Sequence, residues 1–246
     1  MSRKSVKKMT ESTRPSHRSL ASAVLKRTAW FSTCKPETLE TLLAEGQVRL
    51  LKRGEIMTRR AEPVEHLCLI VDGVLEVSAT TSAGKRHVVR YLEPGQLMNL
   101  IPVLDEQGAI HDAVAHADTV VLLLSKALVR KTLASEPELA LAFMRLLCLR
   151  ARLTYLNLAE SSLSTLRARC ARTLLHLVDP YGMPRTDGVA ISLKLSQDEF
   201  ADMVGRSRPI VNRELKQLER EGMIRITYSH LLILDVAGLN AIAVEM

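Results

Sequence analysis

The apolar positions of this chain change their period along its length, and each change predicts a different kind of element. From Gln47 to about Ser125 they come in short runs of four to eight residues, broken at Gly54, Pro63, Asp72-Gly73, Ala83-Gly84, Pro94-Gly95 and Gln107-Gly108. Regular turn signals at this spacing predict an antiparallel sandwich or roll. Leu67 to Val71 and Val74 to Ala79 flank Asp72-Gly73, a dipeptide that suits the tight turn between paired strands, so a hairpin is expected there. Ahead of the roll, Trp30 and Phe31 precede a helix over Pro36 to Glu45, with proline in its first turn and Leu39, Leu42 and Leu43 on one side.

After Ser125 the period becomes helical. Ser125 to Ala134 predicts one helix and Glu138 to Ser161 a longer one. In the longer helix Leu139, Leu146 and Leu153 recur every seven residues, and Ala142, Leu149, Leu156 and Leu163 fill the intervening positions. That is the seam of a coiled coil. Phe143, Leu147 and Leu158 widen the stripe, so one edge can meet the roll and the other a second subunit. A further helix runs from Thr165 to Leu177 and ends at Asp179-Pro180-Tyr181-Gly182, and a turn-rich stretch leads to Gly188.

The most informative stretch is 196–221, SQDEFADMVGRSRPIVNRELKQLERE. Ser196 and Glu199 form a capping box that starts a helix. Phe200 and Val204 share its apolar face, Ala201 leaves room for a second helix, and Gly205 can supply the positive φ that ends it. Ser207 reads as a second N-cap, with Arg208 and Pro209 in the following first turn. Val211, Leu215 and Leu218 then face the first helix, while Arg208, Pro209, Asn212, Arg213, Lys216 and Arg220 face away. Arginine can bond guanine with both arms, asparagine can do the same with adenine, and lysine neutralises phosphate. Arg206 and Ser207 complete the expected DNA-binding set. Apolar runs Met223 to Tyr228 and Leu231 to Leu234 predict a two-stranded wing, and Val189, Ile191, Leu193 and Leu195 alternate as a strand in front. Strand, two helices and hairpin make a winged helix-turn-helix.

The formal net charge of +7 adds less to this picture than its size suggests. Residues 1–27 hold eight basic residues against Glu11 alone, and the remainder of the chain is neutral. This basic segment, rich in serine and threonine, is expected to be a disordered tail, and the DNA argument rests on the local face of the second helix. No run of 18 apolar residues occurs, so neither a membrane span nor a secretory signal is indicated and a cytoplasmic location is expected. Cys34, Cys68, Cys148 and Cys170 lack metal-ligand spacing and read as reduced thiols, Cys68 and Cys148 buried among leucines. His66, His87, His111 and His116 read as isolated histidines. No metal, cofactor or catalytic set is assigned.

This order of elements resembles the Crp/Fnr family of bacterial transcription regulators over roughly residues 28–243. The likeness is densest in LSQDEFADMVGRSRPIVNRELKQLEREGMI, with weaker matches at KRGE (52–55), VDGVLEV (71–77) and LEPGQ (92–96). The resemblance implies an α+β chain: a cyclic-nucleotide-binding-like antiparallel β-roll of jelly-roll type over 28–135, a dimerisation helix over 136–163 and a winged helix-turn-helix over 164–246. It implies a homodimer on an inverted-repeat operator in double-stranded DNA, with RNA polymerase as a candidate partner. Arg208 and Arg213 fall where the family reads bases, and Pro209 replaces a common glutamate or glutamine. The dimer seam is expected at Leu139, Leu146, Leu149, Leu153 and Leu156. Members that bind cyclic AMP hold its ribose with Gly-Glu-Leu and its phosphate with Arg-Ser, and the aligned residues here are Asn99, Leu100, His111 and Asp112. Leucine accepts no hydroxyl bond and a carboxylate repels phosphate, so control by cyclic AMP is not expected, and the effector is another small molecule or none. A dimeric protein-interaction scaffold whose helix-turn-helix no longer binds DNA is the competing function.

Overall fold

The structure, a computed structural model, describes residues 16–82, 84–227 and 230–244, with no side-chain description at 157 and 159–163. Its contacts divide the chain into two compact units. One holds the residues up to Glu76 together with Leu92–Arg145, and the other holds Val77–Tyr91 together with the residues from Leu146 onward.

The first unit begins with helices α1 (His17–Arg27) and α2 (Pro36–Glu45), followed by strands β1 (Gln47–Leu51), β2 (Ile56–Thr58) and β3 (His66–Asp72). Part of the expected disordered tail is therefore helical. Ser16 accepts a hydrogen bond from the Ser19 amide, and Ala21 and Leu25, four apart, are fully buried. Two apolar side chains on one face were enough to anchor a segment whose charge pointed to disorder. Residues 1–15 of that expected tail lie outside the described residues. In α2, Leu39 and Leu42 are buried as the periodicity predicts.

Strand β4 (Leu75–Thr80) follows β3, but the two do not form a hairpin. One sheet has the order β1-β8-β3-β6, where β6 is Leu97–Met98 and β8 is Thr119–Ser125, while β4 lies in a different sheet from β3. Asp72-Gly73 is thus a corner that carries the chain out of the first sheet. Gly73 has φ +83°, and a Cβ there would sit 2.4 Å from the Asp118 carbonyl oxygen, so the corner is closed by a backbone approach that only glycine permits. β8 is the spine of the unit, pairing antiparallel with β1 from Gln47↔Leu123 to Leu51↔Thr119 and with β3 on its other side. Its residues Thr119 to Leu124 are all buried, as a strand covered on both faces requires. β2 pairs antiparallel with β7 (Asp112–Ala115), and β4 continues that sheet before leaving with β5 (Arg86–Leu92) as a hairpin. Short α3 (Leu100–Asp105) and α4 (Lys126–Ser135) complete the roll, and Ser125 caps α4 through the Leu128 amide.

The long helix α5 (Pro137–Leu163) spans the expected dimerisation segment, and its environment changes along its length. Leu139 and Phe143 are buried near its start, where the Phe143 ring meets Phe31 edge-on at 5.7 Å. Leu146 is also buried. Beyond it, every described side chain from 151 to 156, and Leu158, is exposed. Of the expected seam, Leu139 and Leu146 therefore belong to the core of their own chain, while Leu149, Leu153 and Leu156 are 47%, 45% and 52% exposed.

In the second unit, Thr165 caps α6 (Leu166–His176), which is followed by α7 (Val178–Tyr181). Asp179-Pro180-Tyr181 is thus a helical turn where the sequence predicted a stop, since proline is tolerated in a first turn. The stretch read as turns contains β9 (Gly182–Arg185), paired with β10 (Gly188–Ile191). Weak strand formers and Pro184 hid it, and it survives because it is the edge of the sheet β11-β12-β10-β9. Helices α8 (Gln197–Val204) and α9 (Arg208–Arg220) precede the wing strands β11 (Ile224–Thr227) and β12 (His230–Ile233), and α10 (Val236–Ala243) closes the unit. The wing turn, residues 228–229, lies outside the described residues. α10 was not foreseen, although Asp235 caps it through the Gly238 amide at 2.8 Å.

Cys34, Cys68 and Cys170 are buried, but Cys148 is exposed on α5, against the expectation that leucines would cover it. Burial, with the Glu136 charge, pushes the Cys34 thiol up to about 11; burial pushes Cys170 up to about 12 and Cys68 further. Above the ordinary thiol range the folded chain keeps protons that the unfolded chain has released, so these groups lower stability as pH rises toward their raised values. Maleimide at pH 8 is expected to consume one thiol equivalent quickly, at Cys148 by peptide mapping, and the other three only in denaturant. Rapid loss of all four from native protein would contradict this burial.

Candidate nucleic-acid interface

The interface is built on α8 and α9. The Ser196 hydroxyl accepts from the Glu199 amide at 3.2 Å, and the Glu199 carboxylate accepts from the Ser196 amide at 2.7 Å, so the predicted capping box is complete. Gly205 ends α8 at φ +71°, in the left-handed region. Ser207 then opens α9 with extended backbone, but its side chain makes no cap bond. Val211, Leu215 and Leu218 are buried on α9, and Phe200, Ala201 and Val204 on α8. Burying side chains of this kind contributes about 1.5–3 kcal/mol each for the larger ones, which fixes the rotation of α9 about its axis and so decides what faces outward.

What faces outward is basic. Arg206, Ser207, Arg208, Pro209, Arg213, Lys216 and Arg220 are exposed and Asn212 is half-buried. Two of these side chains are held by α8 itself. Arg208 donates to Asp198 at 3.1 Å and to Gln197 at 3.2 Å, and Asn212 donates to the same Gln197 oxygen at 2.8 Å. Gln197 and Asp198 thereby join the first turn of one helix to that of the next. Arg213 and Lys216 extend from the other side of the exposed face.

Three arginines of α6 support the interface from behind. Arg167 grips Glu221, just past the end of α9, with both guanidinium arms, and that pairing holds the Glu221 carboxyl below its usual range. Arg169 donates to the Val204 carbonyl at the end of α8, and Arg172 to the Ala243 carbonyl at the end of α10 at 3.1 Å. Cations at helix C-termini satisfy free carbonyls and complement the helix dipole. Desolvation, followed by the charge of Arg206, lowers the Arg169 pKa.

Val77–Tyr91, which holds most of the hairpin of β4 and β5, groups with this unit. His87 lies 2.7 Å through Nδ1 from the Asp202 carbonyl oxygen, so Nδ1 donates, and Arg86 pairs with the Asp202 carboxylate at 3.8 Å. His87 is therefore not an isolated histidine. A basic Lys-Arg-His triplet at a hairpin end was the available signal, but a neighbour 115 residues away cannot be read from periodicity.

In the first unit, Asn99 holds the left-handed conformation at φ +68° and its amide is 3.4 Å from the Thr58 hydroxyl. Leu100 is fully buried. The Asp112 carboxylate accepts from the Arg60 amide at 2.9 Å, and His111 stands beside it, half-buried.

Residues 48–136 match the model of the cyclic nucleotide-binding domain, and residues 168–242 that of the Crp-like helix-turn-helix domain. The chain belongs to the Crp/Fnr family of transcription regulators. Relatives of this Crp/Fnr chain include a CRP-like cAMP-activated global transcriptional regulator from Mycobacterium tuberculosis, 24% identical, with 86% of this chain and 95% of that one covered. The cyclic AMP receptor protein of Thermus thermophilus is 28% identical, with 89% and 98% covered. Among solved structures, a CRP-family transcriptional regulator from Thermus thermophilus superposes with a TM-score of 0.67 at 26% identity, covering 79% of this chain and 96% of that one. FixK2 from Bradyrhizobium japonicum shares the fold, with a TM-score of 0.73 at 18% identity and 82% and 98% covered. No helix among the described residues is long and apolar enough to cross a membrane.

Asn99 adopts its left-handed backbone because asparagine is among the side chains that tolerate it. Leu100 points its methyls into the core, and the Asp112 carboxylate is engaged by backbone.

Proposed function

We propose that this Crp/Fnr regulator binds an inverted-repeat operator as a symmetric homodimer, acts in the cytoplasm and is not controlled by cyclic AMP. The outward basic face of α9, oriented by its buried leucines and by the Gly205 turn, is the observation that carries the reading. Arg213 and Arg208 read guanine, Asn212 reads adenine, and Lys216, further along the helix, meets phosphate. In the free protein Arg208 and Asn212 are held by Gln197 and Asp198 of α8, so base reading by these two side chains exchanges those bonds for bonds to DNA.

The dimer reading rests on the second half of α5. A stretch whose described side chains from 151 to 156, and at 158, are all exposed, with Leu149 before it and Leu153, Tyr155, Leu156 and Leu158 within it, leaves a large apolar area in water. A parallel copy covers it along Leu149, Leu153 and Leu156, and two-fold pairing sets the reading helices roughly 34 Å apart, one turn of DNA. Leu153→Glu is expected to convert a dimer to a monomer in sedimentation at micromolar concentration. A wild-type monomer, with and without DNA, refutes the assembly.

Independence from cyclic AMP follows from Leu100 and Asp112. The leucine at position 100 cannot accept from the ribose hydroxyls, and the carboxylate at 112 opposes a phosphate. Cyclic AMP is expected to leave both melting temperature and DNA affinity unchanged, and a saturable calorimetric signal would overturn this.

Selection of binding sites tests the reading face. Arg213→Ala is expected to cost about 1–3 kcal/mol per half-site and to relax preference at one base pair in each half. Lys216→Ala should weaken all sequences alike and lower the slope of log affinity against log salt by roughly one. Altered preference in the lysine variant with unchanged preference in the arginine variant would exclude these roles.

A further inference from the structure

In the second unit the β4–β5 hairpin and the turn of the helix-turn-helix enclose an open cleft of about 350 Å³. Lys85 and Arg86 line it from the hairpin, and Arg206, Ser207 and Arg208 from the turn and the start of α9. Two carboxylates also line it, and each has a cation of its own: Asp202 pairs with Arg86 at 3.8 Å and Asp198 with Arg208 at 3.1 Å. Four cations against two carboxylates leave Lys85 and Arg206 in excess, on opposite sides of the opening. The Ser207 hydroxyl makes no cap bond, so it is available as a donor at the mouth.

We propose that this cleft receives one backbone phosphate of the operator, with Lys85 of the hairpin as a contact outside the helix-turn-helix. Two features favour a phosphodiester of bound DNA as the occupant. The wall formed by Arg206, Ser207 and Arg208 is continuous with the exposed face of α9, so a duplex seated on that face carries its backbone past the opening. The excess charge is also supplied by point-like and forked donors at the rim, which suits a single anionic group entering from outside. The hairpin is seated by His87 on the Asp202 carbonyl and by Arg86 on the Asp202 carboxylate, so Lys85 is held in place without using its own ammonium group for docking.

The proposal rests on the DNA-binding reading, and salt titration of operator affinity separates the two. Each phosphate contact on duplex DNA steepens the dependence of log affinity on log salt by about 0.9. Lys85→Ala is expected to flatten the wild-type slope by about that amount while leaving the selected sequence unchanged, and Lys85→Arg to restore it. Between 50 and 200 mM salt this corresponds to a relative change of about threefold. Lys131→Ala, which removes an exposed lysine of the roll, should leave the slope at its wild-type value and so controls for total charge. If wild-type protein binds its operator specifically and Lys85→Ala matches it in slope, or binds more tightly, the hairpin contact is refuted and the reading face stands. If the wild type shows no specific duplex binding, both fall.

Discussion

Gly205 stands at φ +71° between two short helices, and the direction of every outward side chain on α9 depends on the turn it permits. A residue with a Cβ pays a penalty in that region of backbone space, and here the added carbon would also come into contact range of Arg169 and His87 at 3.5 Å. The turn is tight because α9 has to return over α8, and it can return because position 201 is alanine. Once Val211, Leu215 and Leu218 are buried, the rotation of α9 is no longer free, and Arg213 and Lys216 are exposed as a result of that packing. The surface chemistry of this unit is therefore a consequence of its apolar face.

The same logic explains which parts of the fold were legible in the sequence. Caps and helical repeats are local, so Ser196, Glu199, Gly205 and the alternation of apolar and basic positions on α9 could be read directly, and α2, α4 and α9 lie where they were expected. Pairing between distant strands is not local. Asp72-Gly73 carries a hairpin signal, yet the chain uses it as a corner between sheets, because only tertiary packing decides which strand lies next to which. β9 was hidden by a proline that an edge strand tolerates. α1 was hidden by charge, since two buried side chains leave little mark on the composition of a basic segment. The candidate site divides in the same way. The residues of α9 were readable from their period, whereas the roles of Gln197, Asp198, Lys85 and His87 depend on which elements meet.

Helix α5 shows that one heptad spacing can run through two environments. Leu139 and Leu146 continue the same seven-residue spacing as Leu153, but they are buried in their own chain while Leu149, Leu153 and Leu156 are not. Spacing specifies a stripe, and burial decides what lies against it. Phe31 meeting Phe143 shows how the first part of the stripe is covered, by an aromatic side chain from more than one hundred residues earlier.

The arginines of α6 have a consequence for how such a module can change. Arg169 and Arg172 clasp main-chain carbonyls, at Val204 and Ala243, and a carbonyl is offered by any residue type. The Arg167 clasp requires a particular side chain, at Glu221, one residue beyond α9. The bonds described for these three arginines go to Glu221, Val204 and Ala243, all away from positions 208, 209, 212, 213 and 216. The clasps that seat α9 from α6 therefore leave its outer face open to substitution, whereas positions 208 and 212 are also tied to Gln197 and Asp198 of α8.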